Sequence, residues 1–279
     1  MSAAEMLASA TAMLDAAGVA SPDVDAELLL SHVTGVPRLK LRICAEPTPK
    51  QNREFAALVA RRAAREPLQH LTGIAAFRYR ELIVGPGVFI PRPETELLAG
   101  WAIAHLGGLE EPIVVDMCTG SGAIAAAIAD EVRGAQVFAV ELDESAFAYA
   151  QRNLAGTGVD VRQGDIADAF ADLDGCVDVV VANPPYIPLG AWESVETEAR
   201  DHDPSLALWS GDDGLDTIRV VEQAAFRLLK PGGVVGCEHA DVQGESAPVV
   251  FLAANRWSEV RDNPDLGGRP RFVTAQRGL

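Results

Sequence analysis

The chain has 279 residues, 23 of them basic and 40 acidic, for a formal net charge of −17. At roughly 100–200 residues per domain, that length admits one large domain or a core with a smaller companion. The acidic balance argues against a long surface tracking nucleic-acid phosphates, because such affinity rests on Lys and Arg displacing counterions, and it leaves room only for a local basic patch. The opening MSAAEMLASATAML lacks the basic segment of a secretory signal, and no apolar run reaches the ~18 residues of a membrane span. A soluble, cytoplasmic protein with no membrane partner is therefore expected. Cys44, Cys118, Cys176 and Cys237 lie far apart with no C-x-x-C pair. They predict reduced, mostly buried thiols, with neither a metal site nor a disulfide framework.

The first elements in chain order are helical: SAAEMLASATAMLDAAG, SPDVDAELLLSHVTG and TPKQNREFAALVARRAARE. Ser21-Pro22 and Thr48-Pro49 each place a side-chain oxygen at the N-cap and a proline at N1, and Gln51 at N3 makes Thr48 a capping-box candidate. Residues 1–73 are expected to form a small helical bundle. From Ile74 to Val88 short alternating runs around Arg80 and Gly85-Pro86-Gly87 suggest a β-hairpin, so that 74–90 would link the bundle to a second domain, 91–279.

Beyond Glu94, strand-like and helix-like stretches alternate, the pattern of helices packed on both faces of a mostly parallel sheet. The expected strands are 113–117, 136–141, 159–163, 177–182 and 233–239, with a late pair near 257–260 and 271–275. Of the intervening helices the clearest are GAIAAAIADEV, ESAFAYAQRNL and DGLDTIRVVEQAAFRLL. The last is expected to stop at Lys230-Pro231-Gly232-Gly233, where glycines suit a helix C-terminus.

VVDMCTGSGAIAAAIA reads as strand, glycine turn and helix. Gly120 and Gly122 let the backbone approach a ligand, and the helix start beyond them offers unpaired N–H groups. A G-x-G turn also occurs where nothing binds, so the surrounding acids carry the argument. Asp116 ends the first strand, and Glu141 ends the second about 20 residues past the glycines, where a carboxylate accepts from ribose hydroxyls. Between nicotinamide and S-adenosylmethionine, the latter fits better. Ala125 stands where a pyrophosphate site prefers glycine, and Asp116 would repel phosphates but attract a methionine ammonium. Asp165 after the third strand is placed to accept from the adenine amino group, with Ile166 against the ring; a helix N-cap is the other role for Asp165.

In VVANPPYIPL, Asn183 follows the fourth strand, which should adjoin the first and face the cofactor's methyl group. An amide or nucleobase nitrogen is a poor nucleophile because its lone pair is delocalised. The Asn183 side-chain oxygen and the Pro184 carbonyl are both placed to accept from such an NH2 and turn its lone pair toward the methyl. Pro184 and Pro185 stiffen the turn without competing donors, and Tyr186 stacks on the flat acceptor group. A rigid proline turn alone leaves the polar Asn183 unexplained.

With these residues in place, the chain resembles the HemK/PrmC family nearly end to end. The resemblance runs through REPLQHLTG (65–73), FIPRPETE (89–96), TGSGAIA (119–125), NPPYIP, DGLDTIR (213–219), LKPGG (229–233) and DLGGRPRF (265–272). It implies a Rossmann-like α/β class I S-adenosylmethionine-dependent methyltransferase sheet behind a helical bundle. The implied reaction is methylation of the glutamine side-chain amide in the Gly-Gly-Gln loop of peptide chain release factors. Carried over, Asn183, Pro184, Pro185 and Tyr186 bind that glutamine. Thr119, Gly120, Ser121, Gly122, Glu141, Asp165 and Ile166 line the cofactor pocket, with Asp116 behind the turn and Asn183 touching both ligands. Arg92, in the loop beside the pocket, is a substrate-binding candidate; a helix-start salt bridge is the alternative for Arg92 and Glu94, favoured for Glu94. The bundle is implied to dock the release factor, although ALVARRAARE also suits a solvated face. Departures from the family pattern are Met117-Cys118 for leucine-glycine, Glu141 for aspartate, and CEHAD at 237–241, whose His239 reads as a packed core residue.

The rival readings are a nucleic-acid base N-methyltransferase, whose exocyclic amino group has the same geometry, and a non-catalytic adenosine-cofactor-binding module. The net charge speaks against the first and the intact Asn-Pro-Pro-Tyr against the second. A dehydrogenase fits Ala125 poorly. A monomer without direct nucleic-acid contact is expected.

Overall fold

The computed structural model describes residues 2–43 and 47–278, so Cys44 lies outside the described residues. The chain divides into two compact units: Met1–Ile74 with Glu196–His202, and Ala75–Val195 with Asp203–Leu279.

The first unit contains α1 (Ala3–Ala16), α2 (Pro22–Thr34), α3 (Pro49–Ala63) and α4 (Leu68–Thr72). Ser2 with Glu5 and Thr48 with Gln51 both close full capping boxes. Ser21 does not: it sits at the N-cap of α2 but makes no side-chain capping bond among the described residues. That helix begins on Pro22 at N1 with Asp23 and Asp25 in its first turn, where acids suit the positive end of the helix dipole. Leu14, Leu29, Leu30, Leu41 and Phe55 form the core. A late segment of the chain joins this unit, which no local sequence signal foretold. Glu198, on the short helix Thr197–His202, takes two bonds from Arg65 (2.8 and 2.6 Å) and one from Arg62 (3.1 Å). Arg62 in turn holds buried Asp25 at 2.7 Å.

In the second unit the hairpin forms as β1 (Ile74–Phe77) and β2 (Arg80–Ile83), turning at Arg78 with φ +51°. It is not a separate linker. Phe77 and Leu82 are buried in the same core as Leu98 and Ile124, while Val84, Val88 and Ile90 pack with Ala146. Arg78 clamps Glu131 through two bonds (2.5 and 2.6 Å), and Arg80 pairs with Asp130.

The remaining elements are α5 (Thr95–Leu106), β3 (Ile113–Met117), α6 (Ala123–Glu131), β4 (Gln136–Glu141), α7 (Glu144–Asn153), β5 (Asp160–Gln163) and β6 (Val177–Ala182). The short helix already met is α8; α9 (Asp216–Leu228), β7 (Leu229–Glu238), α10 (Ser246–Ala253), β8 (Trp257–Pro264) and β9 (Pro270–Arg277) complete the chain. The seven strands lie in the order β5-β4-β3-β6-β7-β9-β8. The pairs from β5 through β7 are parallel, and β9 is antiparallel to both β7 and β8. Successive side chains of a strand point to opposite faces. Val114, Val179 and Val181 therefore join α5 and α6 on one side, while Val115, Met117 and Val180 join α9 and α10 on the other. From β3 the chain runs outward to β4 and β5, then returns through β6 on the other flank. The order thus reverses between β3 and β6, the place where open α/β sheets hold ligands at their carboxyl edge.

Two expectations change here. Helix α9 ends at Leu228, and Leu229 already pairs with Val177 in the sheet. Lys230–Gly233 lies inside β7, where the register shifts between Val177 and Val179. Gly232 has φ +80°, and a Cβ on Gly233 would sit 3.0 Å from the Val177 carbonyl oxygen, so these glycines serve a strand irregularity rather than a helix cap. Of the described cysteines, Cys237 is buried and Cys118 half-buried, but Cys176 is exposed, contrary to the expectation of burial. No described helix is long and apolar enough to cross a membrane.

Candidate active site

The carboxyl edge at the reversal is organised by buried acids. Asp116, at 1% exposure, accepts from Thr119 Oγ1 at 2.6 Å and from the Ala125 amide at 3.1 Å, both through Oδ2. One carboxylate thus laces strand β3, the glycine turn and helix α6 together. Burial pushes its carboxyl up to about 7, against the pull of those two bonds. Its other oxygen, Oδ1, is buried without a partner among the described residues. An unpaired buried acceptor is costly to leave, and a donor reaching the turn would relieve it.

Glu141, at the end of β4, holds the same glycine turn from the neighbouring strand. Oε2 accepts from the Gly120 amide at 2.8 Å and Oε1 from the Asp143 amide at 2.9 Å, which leaves each oxygen a further lone pair. Burial raises this carboxyl too. The two glycines differ in role. Gly120 has φ +58° with nothing within 4 Å of an added Cβ, so its face is open, as a ligand approach requires. Gly122 has φ +85°, and its Cβ would meet Leu154 carbons at 2.9 Å, so its bareness serves core packing instead. Ser121 is buried between them, and its carbonyl accepts from Asn153 Nδ2 at 2.8 Å. Cys118 holds φ +55°, a left-handed conformation that costs a non-glycine residue ~1–2 kcal/mol.

Gly164 donates to the Glu141 carbonyl at 2.9 Å and brings the next loop alongside. Asp165 opens a turn rather than capping a helix: Oδ1 accepts from the Ala167 amide at 2.9 Å, and the residue is exposed. Ile166 is largely buried, in the cluster that includes Met117 and Val140. An unpartnered buried oxygen on Asp116, spare lone pairs on Glu141 and open space at Gly120 fit S-adenosylmethionine, with donors on its amino-acid and ribose parts.

On the other flank, Met117 opposite Ala182 brings Asn183 level with the start of the glycine turn. Asn183 is half-buried, and its Nδ2 donates to Thr95 Oγ1 at 3.2 Å. Pro184 is buried and Pro185 half-buried. Tyr186 is anchored at both ends of the residue. Its hydroxyl donates to Glu238 Oε1 at 3.3 Å, and its carbonyl accepts from Gln243 Nε2 at 3.0 Å. Burial first, then the Glu238 charge, raises the phenol well above its ordinary value. Burial likewise pushes the Glu238 carboxyl up to about 7. A Cβ on Gly214 would stand 2.4 Å from the Tyr186 carbonyl oxygen, which explains the glycine of the DGLDTIR segment.

Arg92 is engaged with Asp203 at 2.8 Å and lies over the Phe89 ring at 5.1 Å; its salt bridge is not with Glu94, which stands exposed at the N-cap of α5. His239 is a packed core residue: its ring nitrogens meet the Ala240 carbonyl at 2.8 Å and Asp262 Oδ1 at 3.0 Å. Sequence reasoning missed Thr95, Glu238 and Gln243. Thr95 and Glu238 lie inside segments already singled out, but no spacing rule ties either to Asn183.

Residues 5–73 match the PrmC N-terminal domain family, and residues 114–202 match a methyltransferase domain family. The chain is 56% identical over 275 residues to a release factor glutamine methyltransferase of Streptomyces coelicolor, covering 98% of this chain and 97% of that one. The chain belongs to the HemK/PrmC family. A member-like relative from Streptomyces pristinaespiralis, a 4-amino-L-phenylalanine/4-methylamino-L-phenylalanine methyltransferase, is 43% identical over 94% of this chain and 91% of its own. Among solved structures, the hMettl16 catalytic domain bound to an RNA hairpin shares the fold, with TM-score 0.54 at 14% identity over 81% of each chain. The HemK/PrmC chain is thus an S-adenosylmethionine-dependent methyltransferase with a Rossmann-like α/β sheet.

Proposed function

We propose that this chain methylates the side-chain amide nitrogen of the glutamine in the Gly-Gly-Gln loop of peptide chain release factors, as a cytoplasmic monomer that makes no direct contact with nucleic acid. The observation that carries the reading is the 56% identity to a release factor glutamine methyltransferase, which spans helical unit and sheet alike. The net charge of −17 supports a protein rather than a nucleic-acid substrate.

When bound, S-adenosylmethionine supplies an electrophilic methyl group on a sulfonium. Asp116, Thr119 to Gly122, Glu141, Asp165 and Ile166 are the residues that would hold it. On the acceptor side, Asn183 Oδ1 and the Pro184 carbonyl accept from the substrate NH2, which directs the nitrogen lone pair across the cleft and favours charge developing there. Pro185 keeps the turn rigid, and the Tyr186 ring covers the planar amide and excludes water. Held so, alignment and electrostatics supply the rate enhancement without a covalent enzyme intermediate. Arg92, committed to Asp203, orders the loop before α5 and contributes to substrate binding through that loop.

The Streptomyces pristinaespiralis relative is named for an aryl amine, so the feature common to both acceptors is a planar NH2 whose lone pair is delocalised. The test is transfer of label from S-adenosylmethionine to a release factor, to the same factor with its loop glutamine changed to alanine, to duplex DNA and to 4-amino-L-phenylalanine. Label in the intact factor alone is expected. Label in DNA or the aryl amine with none in the factor would reassign the substrate.

A further inference from the structure

Two residues outside the Asn-Pro-Pro-Tyr segment touch both of its ends. Ala182 pairs with Cys237 in the sheet, so the next residues, Asn183 and Glu238, emerge side by side at the carboxyl edge of β6 and β7. Thr95, the first residue of α5, lies between them. It is 3% exposed and accepts from Asn183 Nδ2 at 3.2 Å, beside the Glu238 carboxyl, whose Oε2 is buried without a partner among the described residues. Tyr186 donates to the same carboxyl at 3.3 Å.

The direction of these bonds follows from what each group is able to do. A carboxylate only accepts, and a threonine hydroxyl has one proton. A Thr95 hydroxyl that gives its proton to the unpartnered Glu238 Oε2 has only lone pairs left to offer Asn183. The carboxamide must then turn its NH2 toward Thr95, which leaves Oδ1 on the opposite side. The substrate amide brings NH2 as donor, so the enzyme needs oxygen there; a carboxamide rotated by half a turn would set donor against donor.

Resting on the functional reading above, we propose that Thr95 and Glu238 are positioning residues that fix the Asn183 carboxamide with its oxygen toward the substrate amide, while Glu238 also anchors the Tyr186 ring over it. A protonated Glu238 would be able to donate to Thr95 and release that constraint. The groups around it are Tyr186 after β6, Arg271 on β9, Glu94 at the start of α5 and Cys237 on its own strand. Because burial pushes the Glu238 carboxyl up to about 7, the ordered form gains ground as pH rises through that value.

The experiment is steady-state kinetics on a release factor for wild type, Thr95→Val, Thr95→Ser, Glu238→Gln and the Thr95→Val/Glu238→Gln double variant, with S-adenosylmethionine affinity measured separately by calorimetry. Thr95→Val and Glu238→Gln should each lower kcat by about 10–100-fold, the scale of leaving a buried polar partner unmatched. KM and cofactor affinity should hold, Thr95→Ser should restore most of the rate, and the double variant should be no worse than the weaker single. Wild type should show kcat rising through pH 7, and Glu238→Gln a flat profile. Wild-type kcat in Thr95→Val, or losses that multiply in the double variant, would overturn the inference. If Thr95→Val fails to fold, Glu238→Gln decides: a rise through pH 7 that survives there is equally fatal. A wild-type enzyme that leaves the release factor unlabelled would instead sink the functional reading, an outcome distinct from either.

Discussion

The two walls of the cleft are built differently. On the cofactor wall, Asp116 reaches Thr119 and Ala125, three and nine residues away. On the acceptor wall, Asn183 and Tyr186 are held by Thr95, Glu238 and Gln243, which lie 88, 52 and 57 residues away. A strand–turn–helix unit organises its own ligand-binding edge. A catalytic amide has two opposite chemical faces, and only support from other elements decides which one is shown.

That contrast is broken most sharply at Asn183. Asn183→Ala should lower turnover by about 10²–10³-fold, the usual loss of one preorganised hydrogen-bonding group, while cofactor affinity measured by calorimetry stays near wild type. Retained turnover would remove the clamp from the mechanism. Next come paired glycine substitutions. Gly214→Ala adds a methyl 2.4 Å from the Tyr186 carbonyl oxygen at φ +75°, so it should reduce both kcat and Tm. Gly120→Ala meets no atom within 4 Å and should cost the unliganded fold only the ~1–2 kcal/mol of its left-handed backbone while weakening cofactor binding. Equal kinetic signatures for the two would erase the distinction between the walls.

Asp116 sharpens the picture through pH. Its folded carboxyl sits at about 7 against an ordinary value of 3.8, so between those values the folded state holds a proton that the unfolded state releases. Stability from this group is therefore lost as pH rises across that window. Asp116→Asn should gain Tm relative to wild type on going from pH 4 to pH 8 without cofactor, and bind S-adenosylmethionine more weakly; a Tm difference independent of pH would contradict the burial of that charge. The smallest effect is expected in the helical unit. Burial works against the Glu198 carboxylate, but its bonds to Arg65 and then Arg62 carry it down to about 2. Its contribution is present above the ordinary 4.5 and fades as pH falls toward that lower value. Glu198→Gln should thus lower Tm slightly at pH 7 and have no effect near pH 2.

Strands β3, β4 and β6 could be read from sequence because their apolar runs are bounded by acids or prolines, and Thr48 with Gln51 announced the start of α3. The expected residues around the glycine turn meet where the strand order reverses, since a local motif carries its geometry with it. The misreadings have two causes. Lys230–Gly233 looked like a helix stop because a glycine in a strand irregularity has the same sequence signature as one at a helix end. Arg92 offered no hint of Asp203, and Glu198 none of Arg62 and Arg65, because each pair is separated by more than a hundred residues.

From its residues alone this protein declared an alternating α/β core, a glycine turn flanked by acids and an amide set against two prolines, because periodicity, backbone freedom and charge are properties of short segments. Folding decided which way that amide faces, which carboxyls lose their water, and which distant arginine finds which acid. Those choices depend on strand register and burial, and neither exists until the sheet has assembled.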